Sequence, residues 1–182
     1  MTSTRIPALV SPDVVYRESY RGLVAEFLEK GEKPVPFVLS FEHVDFDGML
    51  ARLVDCSRGI GLPTGFVPHT TYWLVDQRNN VVGVSNIRHA LTPALHREGG
   101  NIGYGVRPSA RGRGLGTELL RQSLLRARDI GLDKALLTCG KTNYASVKVI
   151  LSNGGVLESE EFLPDRAEVV QRYSIQIPLR PF

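Results

Sequence analysis

The sequence predicts a mixed α/β fold, in which a central mixed sheet of about six to seven strands carries about four helices on its two faces. Seven short apolar stretches, bounded by Gly, Pro, Asn or Asp, have the length of strands. Four longer segments repeat apolar residues at helical spacing. Their order is strand, two helices, three strands, helix, strand, helix and two strands, which a sheet covered on both faces satisfies. The 182 residues are enough for one domain with its own core, and we expect that domain to span residues 1–182.

The first third of the chain is predicted to contain one strand and two helices. Ser11-Pro12-Asp13 is a typical helix start, and a stripe of aromatic and aliphatic residues follows it at helical spacing. Gly and Pro then mark two loops. These elements are a strand over 4–10, helices over 14–31 and 45–58, and loops over 32–44 and 59–68.

The remaining elements alternate between strands and helices. Two β-rich runs flank the polar turn 77–80 and predict a hairpin. A later helix carries leucines at helical spacing and stops at Gly131. The predicted strands cover 71–76, 81–88, 100–107, 134–139, 156–162 and 168–178, and the predicted helices cover 115–130 and 143–151.

Composition excludes several classes of protein. A net charge of +3 with acidic residues throughout is too small to indicate nucleic-acid binding. No apolar run approaches the roughly 20 residues of a membrane span, so no membrane partner is expected. Cys56 and Cys139 lie on separate predicted elements, and with four scattered histidines they form no metal site. No signal peptide opens the chain, so we expect a cytoplasmic protein with reduced thiols.

A Gly- and Arg-rich turn over 106–116 is the most informative feature of the sequence. It joins a predicted strand to a predicted helix, and the unpaired N–H groups of a first helical turn attract anions. Arg111 and Arg113 add positive charge, and glycines allow a ligand to approach the backbone closely. No Lys-Ser/Thr pair closes the turn and no Gly-x-Gly-x-x-Gly occurs, which argues against a Walker loop and a dinucleotide fingerprint. The turn therefore predicts a site for a different diphosphate.

The pattern Arg111-x-x-Gly114-x-Gly116 resembles the pyrophosphate loop of the GNAT superfamily of N-acetyltransferases. A second segment, Asn143-Tyr-Ala-Ser146, follows at the expected place and resembles the family's Asn-x-x-Ser/Ala helix. The resemblance covers roughly residues 40–178. It implies a mostly antiparallel sheet that splays open beside the loop, with acetyl-CoA as co-substrate and no metal. The cofactor-binding residues that it implies are Val106, Arg111, Gly112, Arg113, Gly114, Leu115, Gly116, Thr117, Asn143 and Ser146.

Each part of this site has an implied role. The backbone N–H near Val106 faces the thioester carbonyl, the loop binds the pyrophosphate, and Asn143 meets the pantetheine arm. Asn143 and Ser146 are also the residue types of a helix N-cap and first turn, and both interpretations stand at this point. Cys139 is interpreted as a buried structural thiol rather than a nucleophile.

The chain departs from the family pattern at two catalytic positions. Ile150 stands where many members carry the Tyr that protonates the leaving sulfur, and Asn101 stands where many carry a Glu base. The remaining candidates for proton transfer are His89, Glu98 and Tyr104. Each has a plain structural alternative: a strand-end histidine, a solvated loop charge and a core tyrosine.

The acceptor is expected to be an amine. The resemblance implies that two loops, 32–45 and 163–168, shape the acceptor pocket, and their acidic and aromatic residues favour a cationic amine. Those residues are Phe41, Glu42, His43, Asp45, Asp165 and Glu168. Arg88 is interpreted either as a ligand for a substrate carboxylate or as a surface ion-pair residue. The family's exposed strand edges also make a homodimer an expectation. A catalytically silent acyl-CoA-binding module and, less well supported, a nucleotide-phosphate binder are the competing functions.

Overall fold

A computed structural model describes residues 6–177 as seven strands and five α-helices. The outer ends of the predicted strands 4–10 and 168–178, and of the predicted domain, lie outside the described residues. Short 3₁₀ turns occur at Val14–Tyr16, Phe37–Ser40, Pro108–Ala110 and Pro164–Arg166. The elements in chain order are β1 (Ala8–Val10), α1 (Arg17–Glu29), α2 (Phe46–Arg58), β2 (His69–Val75), β3 (Val81–Arg88), α3 (Pro93–Arg97), β4 (Ile102–Val106), α4 (Leu115–Asp129), β5 (Lys134–Gly140), α5 (Tyr144–Ser152), β6 (Val156–Leu163) and β7 (Glu168–Gln176).

The strands form two sheets, which is the splay that the resemblance implied. The first sheet has the order β1-β2-β3-β4 and the second the order β5-β7-β6. Neighbouring strands within each sheet pair antiparallel. The predicted mixed, mostly antiparallel fold is confirmed, and all four predicted helices are found near their predicted bounds.

Helix α3 is an addition to the predicted elements. Its five residues are too few to show a periodic apolar pattern. The helix is stabilised instead by residues at its N-terminus. Pro93 occupies the first turn, and the Thr92 hydroxyl accepts a hydrogen bond from the Leu95 N–H. Glu98, which we expected in an open loop, is therefore the C-cap residue of a helix.

Helices cover both faces of the first sheet. On one face α1 and α2 enclose Trp73, whose ring stacks on Tyr20 with centroids 4.6 Å apart. On the other face α4 packs across both sheets, because one apolar cluster joins Ile87 of β3, Leu120 of α4 and Leu137 of β5. Side chains alternate between the two faces along each strand, so each face has its own set of functional groups.

Asn101 joins the two sheets at the closed end of the splay. Its backbone N–H donates to the Leu136 carbonyl at 2.7 Å, and its side-chain Oδ1 accepts from the Leu136 N–H at 2.8 Å. Its own carbonyl accepts from the Arg88 N–H at 2.7 Å, so one residue bonds to both sheets. Gly100 precedes it, and a Cβ there would lie 2.3 Å from the Leu136 carbonyl oxygen. This asparagine, at the position of the family's usual Glu, is therefore a structural residue.

We expect Asn101→Ala to lower the free energy of unfolding by about 1–3 kcal/mol, because the part-buried Leu136 N–H loses its acceptor. Urea unfolding followed by circular dichroism measures the change. Lys134→Ala is the control, since it removes an exposed ion pair with Glu158 from the same strand and should cost less than about 1 kcal/mol. Equal stability of Asn101→Ala and the wild type would contradict the joining role.

The loop between α1 and α2 lies directly over β4. A Cβ on Gly105 would lie 2.0 Å from the Val35 carbonyl oxygen, and one on Gly103 would lie 3.3 Å from Pro36 Cβ. Only glycines at these two positions allow the loop to approach so closely. Val35, Pro36 and Phe37 thus cover the strand that leads into the Gly- and Arg-rich turn.

Within residues 6–177 no helix combines the length and the apolar character that crossing a membrane requires. The same residues bring together no group of three or more His, Cys, Asp or Glu side chains suited to a metal ion.

Candidate active site

The turn between β4 and α4 exposes the first amides of a helix. Gly112 and Gly114 adopt left-handed φ angles of 78° and 77°, which turn the chain sharply into α4. Gly114 is the N-cap residue, and no side chain in the described part of the chain caps this helix. The N-caps of α2, α3 and α5, in contrast, each accept a backbone N–H with a side-chain oxygen. The first turn of α4 therefore keeps donors available for an anionic ligand.

A cleft of about 520 Å³ opens beside this turn, between β4, α4 and α5. Nine of the ten predicted cofactor residues line it, and Arg113 is exposed outside the lining. Gly116 keeps the cleft open, because a Cβ there would lie 3.0 Å from Val149 Cγ2 and 3.7 Å from Val106 Cγ2. The nine lining residues are Val106, Arg111, Gly112, Gly114, Leu115, Gly116, Thr117, Asn143 and Ser146.

Helix α1 holds the turn in place through Glu26. Its carboxylate accepts from the Arg107 Nε at 2.6 Å, from the Ser109 N–H at 3.0 Å and from the Ser109 hydroxyl at 3.1 Å. Burial raises the pKa of Glu26, but the hydrogen bonds from Ser109 and Arg107 outweigh it and leave the pKa below its ordinary value. The ionised carboxylate is therefore the form that fixes the turn.

Arg111 forms a bidentate ion pair with Glu32 at the rim of the cleft. Its guanidinium donates to both carboxylate oxygens of Glu32, at 2.9 and 2.6 Å, and its Nε donates to the Val106 carbonyl at 3.2 Å. The hydrogen bond from Arg111 lowers the pKa of Glu32. Glu32 itself lines the cleft, so a bound diphosphate would meet this pair rather than an isolated arginine.

Asn143 has the capping role that the sequence offered, and both Asn143 and Ser146 lie where a cofactor contact is predicted. The Asn143 Oδ1 accepts from the Ser146 N–H at 3.1 Å, so Asn143 is the N-cap of α5. Both residues also line the cleft. The cap fixes the asparagine side chain at the wall where the resemblance places the pantetheine arm, and contact with that arm stays a prediction.

Val106 directs its N–H into the gap between the sheets. The N–H of the next residue, Arg107, donates to the Val82 carbonyl of the neighbouring strand at 2.9 Å. Successive N–H groups point to opposite edges of a strand, and β4 is the outer strand of its sheet. The Val106 N–H consequently faces the side where the two sheets diverge.

Tyr104 is the one catalytic candidate that the structure brings to the cleft. Its side chain lies on the α4 face of β4 and reaches toward Ser146 of α5. The hydroxyl is buried and makes no hydrogen bond of acceptable geometry within residues 6–177, although Ser146 is close enough to lower its pKa slightly. Burial dominates and raises the pKa of Tyr104 to about 12. The hydroxyl therefore keeps its proton at any physiological pH.

The other two catalytic candidates lie elsewhere. His89 lines none of the described clefts; its Nε2 hydrogen-bonds the Thr70 hydroxyl at 2.8 Å and burial lowers its pKa. Glu98 pairs with Arg166 at the surface. The strand-end and surface-charge interpretations fit their surroundings better than a role beside the cleft.

Two further positions affect the chemistry of the cleft. Ile150 is 1% exposed and packs in the core rather than in the cleft lining, so α5 supplies no proton donor from that position. Burial raises the pKa of the Cys139 thiol to about 11, with Glu168 adding to the effect, so Cys139 is not poised as a nucleophile.

The acidic residues of the two predicted acceptor loops are largely engaged locally. The Glu42 carboxylate accepts the Val44 N–H, and the Asp45 carboxylate caps α2 through the Gly48 N–H at 3.0 Å. Glu168 pairs with Arg166 at 2.9 Å. These contacts orient three of the four carboxylates that had favoured a cationic acceptor, so the charge of the acceptor is judged from the cavities themselves.

Sequence analysis missed Glu26 and Glu32. Both precede the Gly- and Arg-rich turn by about 80 residues, and their partners Arg107, Ser109 and Arg111 are visible only when α1 is packed against the turn. No local pattern in the sequence distinguishes them from the other acidic residues of α1 and its loop.

Comparison with known proteins agrees with this geometry. The model of the acetyltransferase (GNAT) family matches residues 39–154. No curated protein matches the chain significantly.

Among solved structures, RimL, the ribosomal L7/L12 alpha-N-protein acetyltransferase in complex with coenzyme A, aligns over 94% of both chains with 19% identity and a TM-score of 0.67. The acetyltransferase yncA from Salmonella typhimurium with acetyl-CoA aligns over 98% of both chains, with 15% identity and a TM-score of 0.64. The microcin C7 self-immunity acetyltransferase MccE, in complex with acetyl-CoA and AMP, covers 94% of this chain and 93% of its own, with 17% identity and a TM-score of 0.65. At these identities the likeness is one of fold.

Proposed function

This chain belongs to the GNAT acetyltransferase family, and from that premise we propose that it transfers an acetyl group from acetyl-CoA to a primary amine by direct attack in a ternary complex. The observation that carries the proposal is the uncapped start of α4, which opens into a cleft lined by nine residues predicted for the cofactor. The acceptor belongs to a small molecule or a protein.

Three parts of the chain contact acetyl-CoA in this proposal. Backbone amides of Leu115, Gly116 and Thr117 bind the diphosphate at the start of α4, where the helix dipole also favours negative charge. Asn143 hydrogen-bonds the peptide-like arm of coenzyme A from the start of α5. The Val106 N–H donates to the thioester oxygen as it gains charge, a contribution typically worth about 3 kcal/mol.

Tyr104 supplies the proton for the leaving group. The amine nitrogen attacks the thioester carbon, the C–S bond breaks, and the thiolate takes the Tyr104 proton. The proton that the amine gives up to water restores the hydroxyl, so the net products are the acetamide and free coenzyme A. The hydroxyl is buried at the wall of the cleft, and a pKa of about 12 keeps its proton in place until the thiolate forms.

A catalytically silent acyl-CoA-binding module is the second candidate. It is favoured by Ile150 and Asn101, which occupy the family's usual acid and base positions and serve the core and the sheet joint instead. Such a module would bind acetyl-CoA through the same cleft without turning it over.

Titration calorimetry with acetyl-CoA, followed by a thiol-release assay with a broad panel of amines, tests the proposal. The expected result is binding together with amine-dependent release of free thiol. Binding without release on any amine would establish the silent module, and absence of binding would refute both candidates. Competition by ATP or NAD for the same site would indicate the nucleotide-phosphate binder.

We further propose that the protein acts in the cytoplasm, a reducing compartment, because Cys56 and Cys139 are both free thiols. A homodimer through a strand edge stays a prediction. Strand β6 is the outer strand of the second sheet and exposes Val156, Leu157 and Phe162.

A further inference from the structure

A second, smaller cavity lies on the α1/α2 face of the first sheet. It has a volume of about 210 Å³, and its walls include Phe37, Phe66, Val67 and Leu95. Val35 lines the cofactor cleft and Phe37 lines this cavity, so both spaces border the segment 35–37 that covers β4. A ligand in the cavity therefore contacts the same covering segment as a ligand in the cofactor cleft.

Two polar side chains complete the walls, His69 at the start of β2 and Arg88 at the end of β3. These residues pair directly across the two strands. Strand alternation places both on the same face as Trp73 and Val84, the face that α1 and α2 cover. The cavity thus combines an apolar wall with two nitrogen-bearing groups side by side.

His69 presents an unused donor to the cavity. Its Nδ1 accepts from the Asn86 Nδ2 at 2.8 Å, and that amide also donates to the Thr71 hydroxyl at 3.0 Å. The ring proton therefore resides on Nε2, which is buried and has no hydrogen-bond partner within residues 6–177. Burial, and after it the charge of Arg88, lowers the pKa of His69 to about 4, so the ring stays neutral. A buried N–H without a partner costs free energy that a bound acceptor oxygen would recover.

Arg88 brings a positive charge to the same cavity without a negative partner. Its Nη1 donates to the carbonyls of Gly99 and Gly100 at 3.0 and 2.9 Å, and its guanidinium lies 5.6 Å from the centroid of Phe37. No carboxylate forms an ion pair with it in the part of the chain that the structure describes. Burial lowers the pKa of Arg88. The carbonyls and the aromatic ring fix the orientation of the guanidinium for a planar anion.

A neighbouring cavity of about 300 Å³ shares Phe37, Phe66 and His69 with the first. Its charged walls are Arg52, which lies 3.8 Å from the Phe41 centroid, and Asp55. The charges of Arg52 and Asp55 cancel in this neighbouring cavity. The net positive charge near the three shared residues therefore comes from Arg88.

We propose that the cavity between His69 and Arg88 binds a carboxylate of the acceptor, and that the acceptor is therefore a small amine that carries a carboxylate and an apolar side chain, as a free amino acid does. The guanidinium forms the ion pair, the His69 N–H donates to a carboxylate oxygen, and Phe37 and Phe66 contact the apolar part. This inference rests on the proposed function and sets the acceptor apart from the cationic amines that the sequence had favoured.

The test compares apolar amino acids with their carboxamides, with spermidine as a cationic amine, in the acetyl-CoA thiol-release assay. We expect kcat/KM to be at least about 10-fold higher for the best amino acid than for its carboxamide. In Arg88→Met it should fall by about 10- to 100-fold for the amino acid, mainly through KM, because a hydrogen bond to a charged group is lost. The carboxamide should change by less than about twofold.

Arg58→Met is the matched control, since Arg58 ends α2 at an exposed position and lines neither cavity. Unchanged acetyl-CoA affinity by calorimetry shows that Arg88→Met is folded, and Arg88→Lys should recover part of the preference. Equal or better turnover of carboxamides or spermidine, or an equal loss for amino acid and carboxamide, would overturn the inference and leave the proposed function standing. If no amine is acetylated, the proposed function fails, and calorimetric titration of the same amino acids into the coenzyme A complex of wild type and Arg88→Met decides the inference separately.

Discussion

Gly116→Val is expected to weaken acetyl-CoA binding by about 100-fold or more, which corresponds to about 2.7 kcal/mol. A Cβ at this position already lies 3.0 Å from Val149 Cγ2, and valine adds two further carbons between α4 and α5. The added carbons fill the entrance beside the first amides of α4, where a diphosphate would have to sit. Titration calorimetry with acetyl-CoA and with coenzyme A measures the loss.

Gly131→Ala is the control at the other end of the same helix. Gly131 has a φ of 90° and no atom within 4 Å of a built Cβ, so alanine should cost about 1–2 kcal/mol of stability through backbone conformation alone. Its acetyl-CoA affinity should equal that of the wild type. Circular dichroism establishes that both variants are folded, and an affinity of Gly116→Val within threefold of the wild type would rule out this cleft as the cofactor site.

The second large effect is expected for Tyr104→Phe, which should reduce kcat by about 100-fold while leaving the KM for acetyl-CoA nearly unchanged. The phenyl ring keeps the wall of the cleft, and only the proton for the leaving thiolate is removed. Because the hydroxyl has no hydrogen-bond partner of acceptable geometry among the described residues, its removal should not lower the free energy of unfolding. With a pKa of about 12, Tyr104 is protonated below that pH, so the wild-type kcat should show no alkaline decline from this group up to about pH 11.

Tyr173→Phe is the control, because it removes a tyrosine hydroxyl that lies outside the cleft. The Tyr173 hydroxyl donates to the Gln171 Oε1 at 2.7 Å on β7, outside the cleft, so this variant should lose stability and keep its kcat. If Tyr104→Phe retains more than half of the wild-type kcat under conditions where chemistry limits the rate, Tyr104 is not the acid, and a water molecule must protonate the thiolate instead.

Elements with a clear local pattern could be predicted from the sequence. Helix α4 was expected over 115–130 and runs Leu115–Asp129, and β3 was expected over 81–88 and runs Val81–Arg88. Their apolar spacing is set by burial against neighbours along the whole element, so it leaves a periodic signal. The Gly- and Arg-rich turn was equally visible, since glycines there are required by positive φ angles.

Features that depend on distant contacts left no such signal. Asn101 bonds to Leu136, 35 residues later, and its role as a joint requires both sheets to be in place. The same holds for His69 and Arg88, which become neighbours only through the register of β2 with β3. Acidic residues near the acceptor loops had indicated a cationic acceptor, but composition could not reveal that caps and ion pairs already occupy most of those carboxylates.

The contacts of Glu26 and Glu32 with the Gly- and Arg-rich turn bear on which residues a minimal folded fragment of this protein must include. The family model covers 39–154, yet Glu26 and Glu32 lie before that region. Strand β7, the middle strand of the second sheet, lies after it. A fragment cut to the matched boundaries would lose the contacts of Glu26 and Glu32 with the Gly- and Arg-rich turn and two of the three strands of the second sheet, so recombinant work should keep both flanks.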